Sequence, residues 1–237
     1  MKPIDTAILL AAGAGTRLRA AADSKPLCLV AGKTLLDHAL ERLATAGIAR
    51  AIVVTGYRAE AIEAHVAARD WPLTVETVRT RDWQLPNGVS ALAAVDALAG
   101  APALLAMCDH LVEPALYARM AAAGAGAGLR LGVDRRLGHP WVDPEDVTFV
   151  ATEGVRIVAI GKGMAPHDAY DTGVFAVGAP FFAALAELDA PSITEAVRAL
   201  AAHGLAEVVE CSDLTWIDVD DPKALAAAED WASGVIA

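Results

Sequence analysis

A glycine-containing segment near the start of the chain carries the clearest chemical signal. It consists of Leu10, Ala11, Ala12, Gly13, Ala14, Gly15 and Thr16, and it is followed by Arg17 and Lys25. Glycines directly after an apolar run let backbone N–H groups approach an anion without a Cβ in the way. The Arg17 guanidinium matches the geometry of phosphate oxygens, and Lys25 adds a point charge. The segment therefore predicts a site for the phosphates of a nucleotide.

Two other phosphate-binding patterns are excluded by single residues. A dinucleotide-binding fingerprint needs a third small residue where Leu18 stands, so Gly13 and Gly15 do not complete it. Gly32-Lys33-Thr34 looks like the end of a Walker A loop, but the first glycine of such a loop would fall at Leu27. A plain turn with solvated cations is the alternative interpretation, and the added arginine and Lys-Pro step favour the phosphate site.

Two aspartates lie where strands are expected to end, and together they could hold a metal ion. Asp109 follows the apolar run 103–107, and Asp218 lies in a later run, 215–219. Because ligands of open α/β sheets bind at the carboxyl ends of strands, both side chains can face one crevice. Mg²⁺ needs only one or two carboxylates beside substrate phosphates. A turn cap and an exposed edge charge are the alternatives, and Asp220, on the same strand face as Asp218, could replace it.

The order of these motifs resembles that of the nucleotidyltransferases that activate phosphorylated sugars and alcohols with an NTP. Their signature is a strand followed by L-A-A-G-x-G-T-R-L and then K-P, which the chain matches at 10–18 and 25–26. Five later segments stand in the family's order: Asn87–Ser90, Met107–His110, Ile160–Lys162, Asp171–Phe175 and Trp216–Asp220. Their details look most like the cytidylyltransferase branch, in particular the members that act on inositol-1-phosphate.

The resemblance implies Mg²⁺-dependent transfer of CMP from CTP to a phosphorylated alcohol, giving a CDP-alcohol and pyrophosphate. The implied catalytic residues are Arg17, Lys25, Asp109, Lys162 and Asp218, with Mg²⁺ held by Asp109 and Asp218. The nucleotide would be contacted by Leu10, Ala11, Ala12, Gly13, Ala14, Gly15, Thr16, Arg17, Lys25, Asn87, Gly88, Ser90 and Asp109. The acceptor would be contacted by Lys162, Asp171, Thr172 and Gly173. A solvated turn lysine at Lys162 and ordinary helix capping at Asn87–Ser90 remain open as alternatives.

The residues also leave other substrates and one other function open. The glycine segment binds phosphates rather than bases, so CTP with phosphocholine, or UTP or dTTP with a hexose-1-phosphate, are alternatives. A molybdopterin-type guanylyl- or cytidylyltransferase is another. A non-catalytic nucleotide-binding module would be expected to lack Arg17, Lys25 or Asp109, and all three are present. The segment 133–145 matches nothing in the family pattern and could hold acceptor contacts. Packing or surface roles are expected for His110, His139, His167 and Trp83, although His110 is adjacent to the expected metal position.

Alternating sequence patterns predict the elements that must position these residues. In the first half, strand-like runs at 6–10, 51–55, 73–78 and 103–107 alternate with helical patterns at 35–46, 58–68 and 88–98. In the second half, strands are expected at 128–134, 147–150, 155–160, 172–177, 206–210 and 215–219, and helices at 180–187, 193–203 and 222–231. This predicts an α/β, Rossmann-like nucleotidyltransferase fold with a mixed, mostly parallel central sheet and helices on both faces. We expect one domain, with a nucleotide-binding half at about 1–125 and an acceptor-binding half at about 126–237.

Composition limits the partners and the compartment. With 19 Lys and Arg against 30 Asp and Glu, the net charge of −11 disfavours nucleic-acid binding. Three cysteines without a C-x-x-C pair are typical of a reduced, cytoplasmic protein. We find neither a signal peptide pattern nor an apolar run of the roughly 18 residues that a membrane helix needs. We therefore expect a stand-alone cytoplasmic protein without a membrane segment, whose product could feed a membrane CDP-alcohol transferase; a homo-oligomer is left open.

Overall fold

Nine strands form one mixed sheet that includes both halves of the chain. The structure is a computed structural model and describes residues 3–18 and 22–234. The strands are β1 (Thr6–Ala11), β2 (Leu29–Val30), β3 (Lys33–Thr34), β4 (Arg50–Thr55), β5 (Thr74–Arg79), β6 (Ala103–Met107), β7 (His110–Val112), β8 (Leu129–Asp134), β9 (Phe149–Glu153), β10 (Arg156–Gly161), β11 (Ala169–Val177), β12 (Ala206–Glu210) and β13 (Trp216–Asp218). The order in the large sheet is β5-β4-β1-β6-β11-β8-β12-β10-β9.

Within residues 3–18 and 22–234, eight α-helices accompany these strands. They are α1 (Leu35–Thr45), α2 (Ala59–Ala67), α3 (Asn87–Leu92), α4 (Val95–Leu98), α5 (Pro114–Ala123), α6 (Ala179–Ala186), α7 (Ile193–Ala202) and α8 (Pro222–Ala232), and the structure describes 3-10 helices at Thr16–Leu18 and Lys25–Leu27. The helix expected over 88–98 is two short helices, α3 and α4. Among the described residues, none of the helices combines the length and apolar character that crossing a bilayer requires.

Side chains of the central strands alternate between two apolar cores, as a sheet covered on both faces requires. On β1, Ala7, Leu9 and Ala11 belong to the core that includes α1 and α5. Ile8 points into the opposite core, which includes side chains of α6 and α7. The predicted α/β fold, with helices on both faces of a central sheet, is confirmed.

The antiparallel pairs of the large sheet all involve strands of the second half. β1 pairs in parallel with β4 and β6, and β4 pairs in parallel with β5. β11 then enters the sheet antiparallel to both β6 and β8. A separate ribbon of β7 and β13 lies beside the sheet, and its antiparallel register sets Asp218 opposite His110. Strands of three residues have too few positions for a periodic pattern, and the sequence analysis did not predict β7.

Candidate active site

The glycine segment forms a loop between β1 and the 3-10 helix Thr16–Leu18. Gly15 has a φ of +55°, and a Cβ at this position would collide with the Cβ of Lys25. A side chain is therefore disfavoured both by the backbone conformation and by the neighbouring lysine. Gly13 is exposed, and a Cβ added to it would meet open space among the described residues. The loop thus packs against Lys25 while its Gly13 side stays accessible.

A cavity of about 170 Å³ lies beneath this loop. Its lining residues are Leu10, Ala11, Gly13, Gly15, Lys25, Pro26, Cys108, Asp109 and Asp220. Six of the residues predicted to contact the nucleotide are in this set. Ala12, Ala14 and Thr16 belong to the same loop, and the carbonyl oxygen of Ala12 accepts a hydrogen bond from the backbone of Tyr57.

Lys25 is a buried cation at the centre of the site. Its side chain is 6% exposed, and its Nζ donates to Asp109 Oδ2 at 2.6 Å and to Asp220. The same Nζ lies 3.9 Å from Asp218 Oδ1. Burial disfavours the charged form of Lys25, but the three carboxylates outweigh that effect and raise its pKa. The lysine therefore stays protonated and holds the aspartates together.

The β7–β13 ribbon brings Asp109 and Asp218 to one place. Asp109 lies in the turn between β6 and β7, and its carbonyl oxygen accepts a hydrogen bond from Val219 N at 3.0 Å. Ligand atoms of Asp109, His110 and Asp218 all lie within 4.8 Å of one another. Oδ1 of Asp218 is buried and accepts no hydrogen bond from the described residues. The sequence-predicted pair of carboxylates is thus adjacent, and one of its oxygens lacks a hydrogen-bond donor.

Asp220 belongs to the same cluster. Asp146, Asp218 and Asp220 form a second group whose ligand atoms lie within 4.8 Å of one another. The Asp220 carboxylate contacts both Arg17 and Lys25. Burial and the neighbouring charge of Asp218 raise the pKa of Asp220 to about 6. The structure therefore places both Asp218 and Asp220 where either could contribute a ligand.

Asp146 is a site residue that the sequence analysis missed. It lies in the segment before β9, where its Oδ2 accepts from Arg17 at 2.7 Å and its Oδ1 contacts Lys162. A hydrogen bond with Asp220 and the two cations hold the pKa of Asp146 well below its usual range. One carboxylate thus joins the two predicted phosphate-binding cations. An Asp-Pro-Glu-Asp turn carries no periodic pattern, so only its position before a strand marks Asp146 in the sequence.

His110, for which we expected packing or a surface role, also lies in the site. Its Nδ1 lies 2.9 Å from the Thr172 carbonyl oxygen, and its Nε2 lies 3.5 Å from Asp218 Oδ2. Burial opposes its positive charge, but Asp218 and Asp109 raise the pKa of the ring to about 10. The adjacent Asp109 was the signal in the sequence that could have pointed to this residue.

A larger cavity, of about 270 Å³, shares Asp220 with the first one and is also lined by Asp218. Lys162, Asp171 and Gly173, all predicted to contact the acceptor, line it together with Arg17 and Asn87. Thr172 is fully buried instead, and its hydroxyl donates to the Gly132 carbonyl oxygen at 2.8 Å. Asp171 accepts from Gly173 N at 2.7 Å, and burial raises the pKa of its carboxyl to about 6.

The segment Asn87–Ser90, predicted to contact the nucleotide, serves packing as well. Asn87 Oδ1 accepts from Ile193 N at 3.0 Å, at the first residue of α7. Gly88 is buried, and a Cβ there would come within 2.5 Å of the Pro191 carbonyl oxygen. Ser90 is buried in α3. Close contact between α3 and the segment before α7 therefore explains the glycine without reference to a ligand.

Part of the unassigned segment 133–145 reaches the larger cavity. Trp141 and Asp143 line it. Arg135 is engaged elsewhere, in ion pairs with Asp168 and Glu210. Among the described residues, the arginine and the lysine that line the cavity are thus Arg17 and Lys162.

The family model for the MobA-like NTP transferase domain matches residues 7–210 of this chain. The chain belongs to this family. It is therefore a nucleotidyltransferase domain.

Curated relatives of this MobA-like domain are longer proteins. It is 35% identical, over 234 residues, to the bifunctional IPC transferase and DIPP synthase of Rubrobacter xylanophilus. The match covers 96% of this chain and 52% of that protein. The protein of the same name from Aquifex aeolicus is 28% identical, with 93% of this chain and 50% of the relative covered. The chain thus spans about half the length of these relatives.

Solved structures show the same fold. The inositol-1-phosphate CTP transferase from T. maritima superposes with a TM-score of 0.85 and 22% identity, covering 96% of this chain and 97% of that one. A UTP-bound UGPase from Acinetobacter baumannii has a TM-score of 0.79 and 19% identity, with 97% and 93% covered. These neighbours share one architecture, although one is a CTP transferase and the other is bound to UTP.

Proposed function

We propose that this domain transfers CMP from CTP to the phosphate of a phosphorylated alcohol, with inositol-1-phosphate as the first candidate. The observation that carries the proposal is the arrangement of cations around the carboxylate cluster. Lys25 lies under the glycine loop, Lys162 lies in the larger cavity, and Asp146 joins Lys162 to Arg17. Cations on both sides of a carboxylate cluster suit a reaction that joins two phosphorylated substrates.

In the proposed reaction, an oxygen of the acceptor phosphate attacks the α-phosphorus of CTP. The new P–O bond joins CMP to the acceptor phosphate, while the bond to the oxygen that bridges the α- and β-phosphates breaks. The electron pair of that bond leaves with pyrophosphate. Arg17 and Lys25 would neutralise the β- and γ-phosphates, and Lys162 would orient the attacking phosphate. Catalysis would consist of positioning and charge neutralisation, without a covalent intermediate on the protein.

Mg²⁺ is the cofactor that we propose, held by Asp109 and Asp218. Carboxylate oxygens are ligands that Mg²⁺ prefers, and the buried Oδ1 of Asp218 lacks a hydrogen-bond donor among the described residues. When bound, the ion would supply positive charge to phosphate oxygens. Lys25 shares both carboxylates, so it would keep them in place before the ion and the nucleotide arrive.

The charge of the larger cavity supports a polyol acceptor. Its acidic lining residues are Asp143, Asp146, Asp171, Asp218, Asp220 and Asp221. Carboxylates accept hydrogen bonds from hydroxyl groups and repel a second anionic group on the acceptor. The names of two kinds of relative agree with CMP transfer: the T. maritima structure is an inositol-1-phosphate CTP transferase, and a CMP-5'-(3-aminopropyl)phosphonate synthase of Streptomyces rubellomurinus is 27% identical over 91% of this chain.

The test is pyrophosphate release by the purified protein with Mg²⁺. CTP, UTP, dTTP, ATP and GTP are each combined with inositol-1-phosphate, phosphocholine, glycerol-3-phosphate and hexose-1-phosphates. We expect the signal with CTP and inositol-1-phosphate. A signal with UTP or dTTP and a hexose-1-phosphate would keep the chemistry and replace the substrates. Folded protein that is silent with every pair would refute the proposal for these substrates.

An isosteric variant tests whether the release of pyrophosphate depends on the candidate site. Asp109→Asn keeps the size of the side chain and removes its charge, so we expect turnover to be lost. Asp213→Asn is the matched control, because Asp213 is also paired with a cation, Arg119, but lies on the surface, 63% exposed. Equal activity of the two variants would contradict the role of Asp109.

A further inference from the structure

His110 contacts both proposed metal ligands from one side. Its Nε2 lies 3.5 Å from Asp218 Oδ2 and 3.9 Å from Asp109 Oδ1. Lys25 approaches the other oxygen of each carboxylate, Oδ2 of Asp109 and Oδ1 of Asp218. The two carboxylates therefore lie between an ammonium group and an imidazole ring.

The orientation of the imidazole is set by its neighbours. Nδ1 lies 2.9 Å from the Thr172 carbonyl oxygen, and because a carbonyl only accepts, Nδ1 carries a proton. The ring stacks on Trp216, with centroids 5.9 Å apart and planes 21° apart. At Gly173 a Cβ would collide with the His110 ring. These contacts leave Nε2 as the nitrogen that faces the carboxylates.

The groups that hold the ring are themselves fixed by the core. Trp216 Nε1 donates to Asp134 Oδ2 at 3.0 Å, and Asp134 is 1% exposed. The Thr172 hydroxyl donates to the carbonyl oxygen of Gly132 in β8. Buried contacts of residues in β8, β11 and β13 thus determine the position of Nε2.

We infer that His110 is a positioning residue, whose Nε2 holds Oδ2 of Asp218 so that Oδ1 of the same carboxylate faces the divalent cation. The inference rests on the proposed function, because a cation at Asp109 and Asp218 is part of that proposal. Two observations support it: Nε2 lies beside Oδ2, and the buried Oδ1 lacks a donor among the described residues. Removing a group that orients a metal-ligating side chain typically weakens metal affinity by roughly 10- to 100-fold.

Two substitutions separate the two nitrogens of the ring. In His110→Asn the side-chain amide takes the place of Nδ1, so it can still contact the Thr172 carbonyl oxygen but does not reach Asp218. In His110→Gln the longer side chain can place its amide N–H near the position of Nε2. Both variants lose the aromatic ring, so they share any effect of lost stacking on Trp216.

The readout is binding of Mn²⁺ alone, followed by the electron paramagnetic resonance of the free ion during a titration of the full chain. We expect His110→Asn to bind Mn²⁺ about 10- to 100-fold more weakly than the wild type. His110→Gln is expected to stay close to the wild-type affinity. Thermal unfolding in EDTA checks that each variant is folded, and a purely structural role would weaken both variants alike.

The inference is overturned if His110→Asn keeps the wild-type affinity, if both folded variants weaken equally, or if the wild type binds no Mn²⁺. Should His110→Asn fail to fold, His110→Gln decides, since a loss of affinity in that variant overturns the donor role and retention supports it. Pyrophosphate release by the wild type with Mg²⁺ is measured separately. Affinity that depends on His110 in a protein that releases no pyrophosphate would refute the proposed function and keep the inference.

Discussion

Replacing Lys25 by methionine tests whether one buried cation holds the carboxylate cluster together. The Lys25 ammonium contacts Asp109 and Asp220 and lies 3.9 Å from Asp218 Oδ1. Methionine is a flexible, unbranched side chain that can fill the space of the lysine stem without its charge. In the variant, three neighbouring carboxylates lose the cation that they share, so the folded state should become less stable.

The magnitude follows from the burial of the partners. Removing one member of a buried ion pair costs about 3–5 kcal/mol. The side chain of Lys25 is 6% exposed, but those of Asp109 and Asp220 are 32% and 23% exposed, so water screens part of the repulsion. We therefore expect the lower end, about 3 kcal/mol of unfolding free energy in EDTA. Mg²⁺ should restore part of this loss, because it binds the folded cluster and replaces the missing charge.

Urea unfolding of the wild type and Lys25→Met, each in EDTA and in excess MgCl₂, measures both effects. Lys33→Met is the matched control, because Lys33 is 50% exposed and pairs with the exposed Glu41. An exposed pair of this kind contributes at most about 1 kcal/mol. The reasoning is refuted if Lys25→Met loses no more stability than this control in EDTA, or if Mg²⁺ stabilises the variant no more than the wild type.

Three further predictions concern the packing around the site. Gly173→Ala should lose about 1–3 kcal/mol of stability, because φ is +75° and the methyl group meets a histidine ring. Gly154→Ala shares the positive φ but meets open space among the described residues, so equal losses in thermal unfolding would contradict the collision. Gly88→Ala places a Cβ 2.5 Å from a carbonyl oxygen, and urea unfolding should show a loss of about 1–3 kcal/mol; unchanged stability would refute this contact. Burial raises the pKa of Cys211 to about 12, and Cys28 and Cys108 are also buried, so a disulfide reagent at neutral pH should label the native protein slowly; rapid labelling would refute this.

Much of the first half could be predicted because its signals are local. Apolar runs of five or six residues correspond to β1, β4 and β6, and the glycine-containing loop after β1 is where we predict the phosphate site. The N-cap of α8 is equally local, since the Asp221 side chain accepts from Ala224 N, three residues later, at 2.7 Å. These features depend on residues that are close together in the chain.

A strand was expected at 215–219, where β13 lies, but its pairing with β7 could not be predicted, and this pairing determines much of the site. A strand of three residues, such as β7, shows neither alternation nor a characteristic length. The sequence therefore contains no periodic pattern that predicts the antiparallel pairing of His110 with Asp218. For the same reason the sequence analysis expected His110 to pack or lie at the surface. The position of β11 between β6 and β8 was equally hidden, because the order of strands in a sheet depends on long-range pairing rather than on composition.

The amino-acid sequence by itself determined which chemical groups this protein has and where they stand relative to its strands. It supplied the glycine loop, Arg17, Lys25 and the aspartates near the ends of apolar runs. Tertiary structure alone decided their partners: Asp146 between Arg17 and Lys162, and the imidazole of His110 against Asp218. Residue types and local spacing are properties of short segments, whereas these contacts join distant segments that meet only when the sheet and the ribbon have formed.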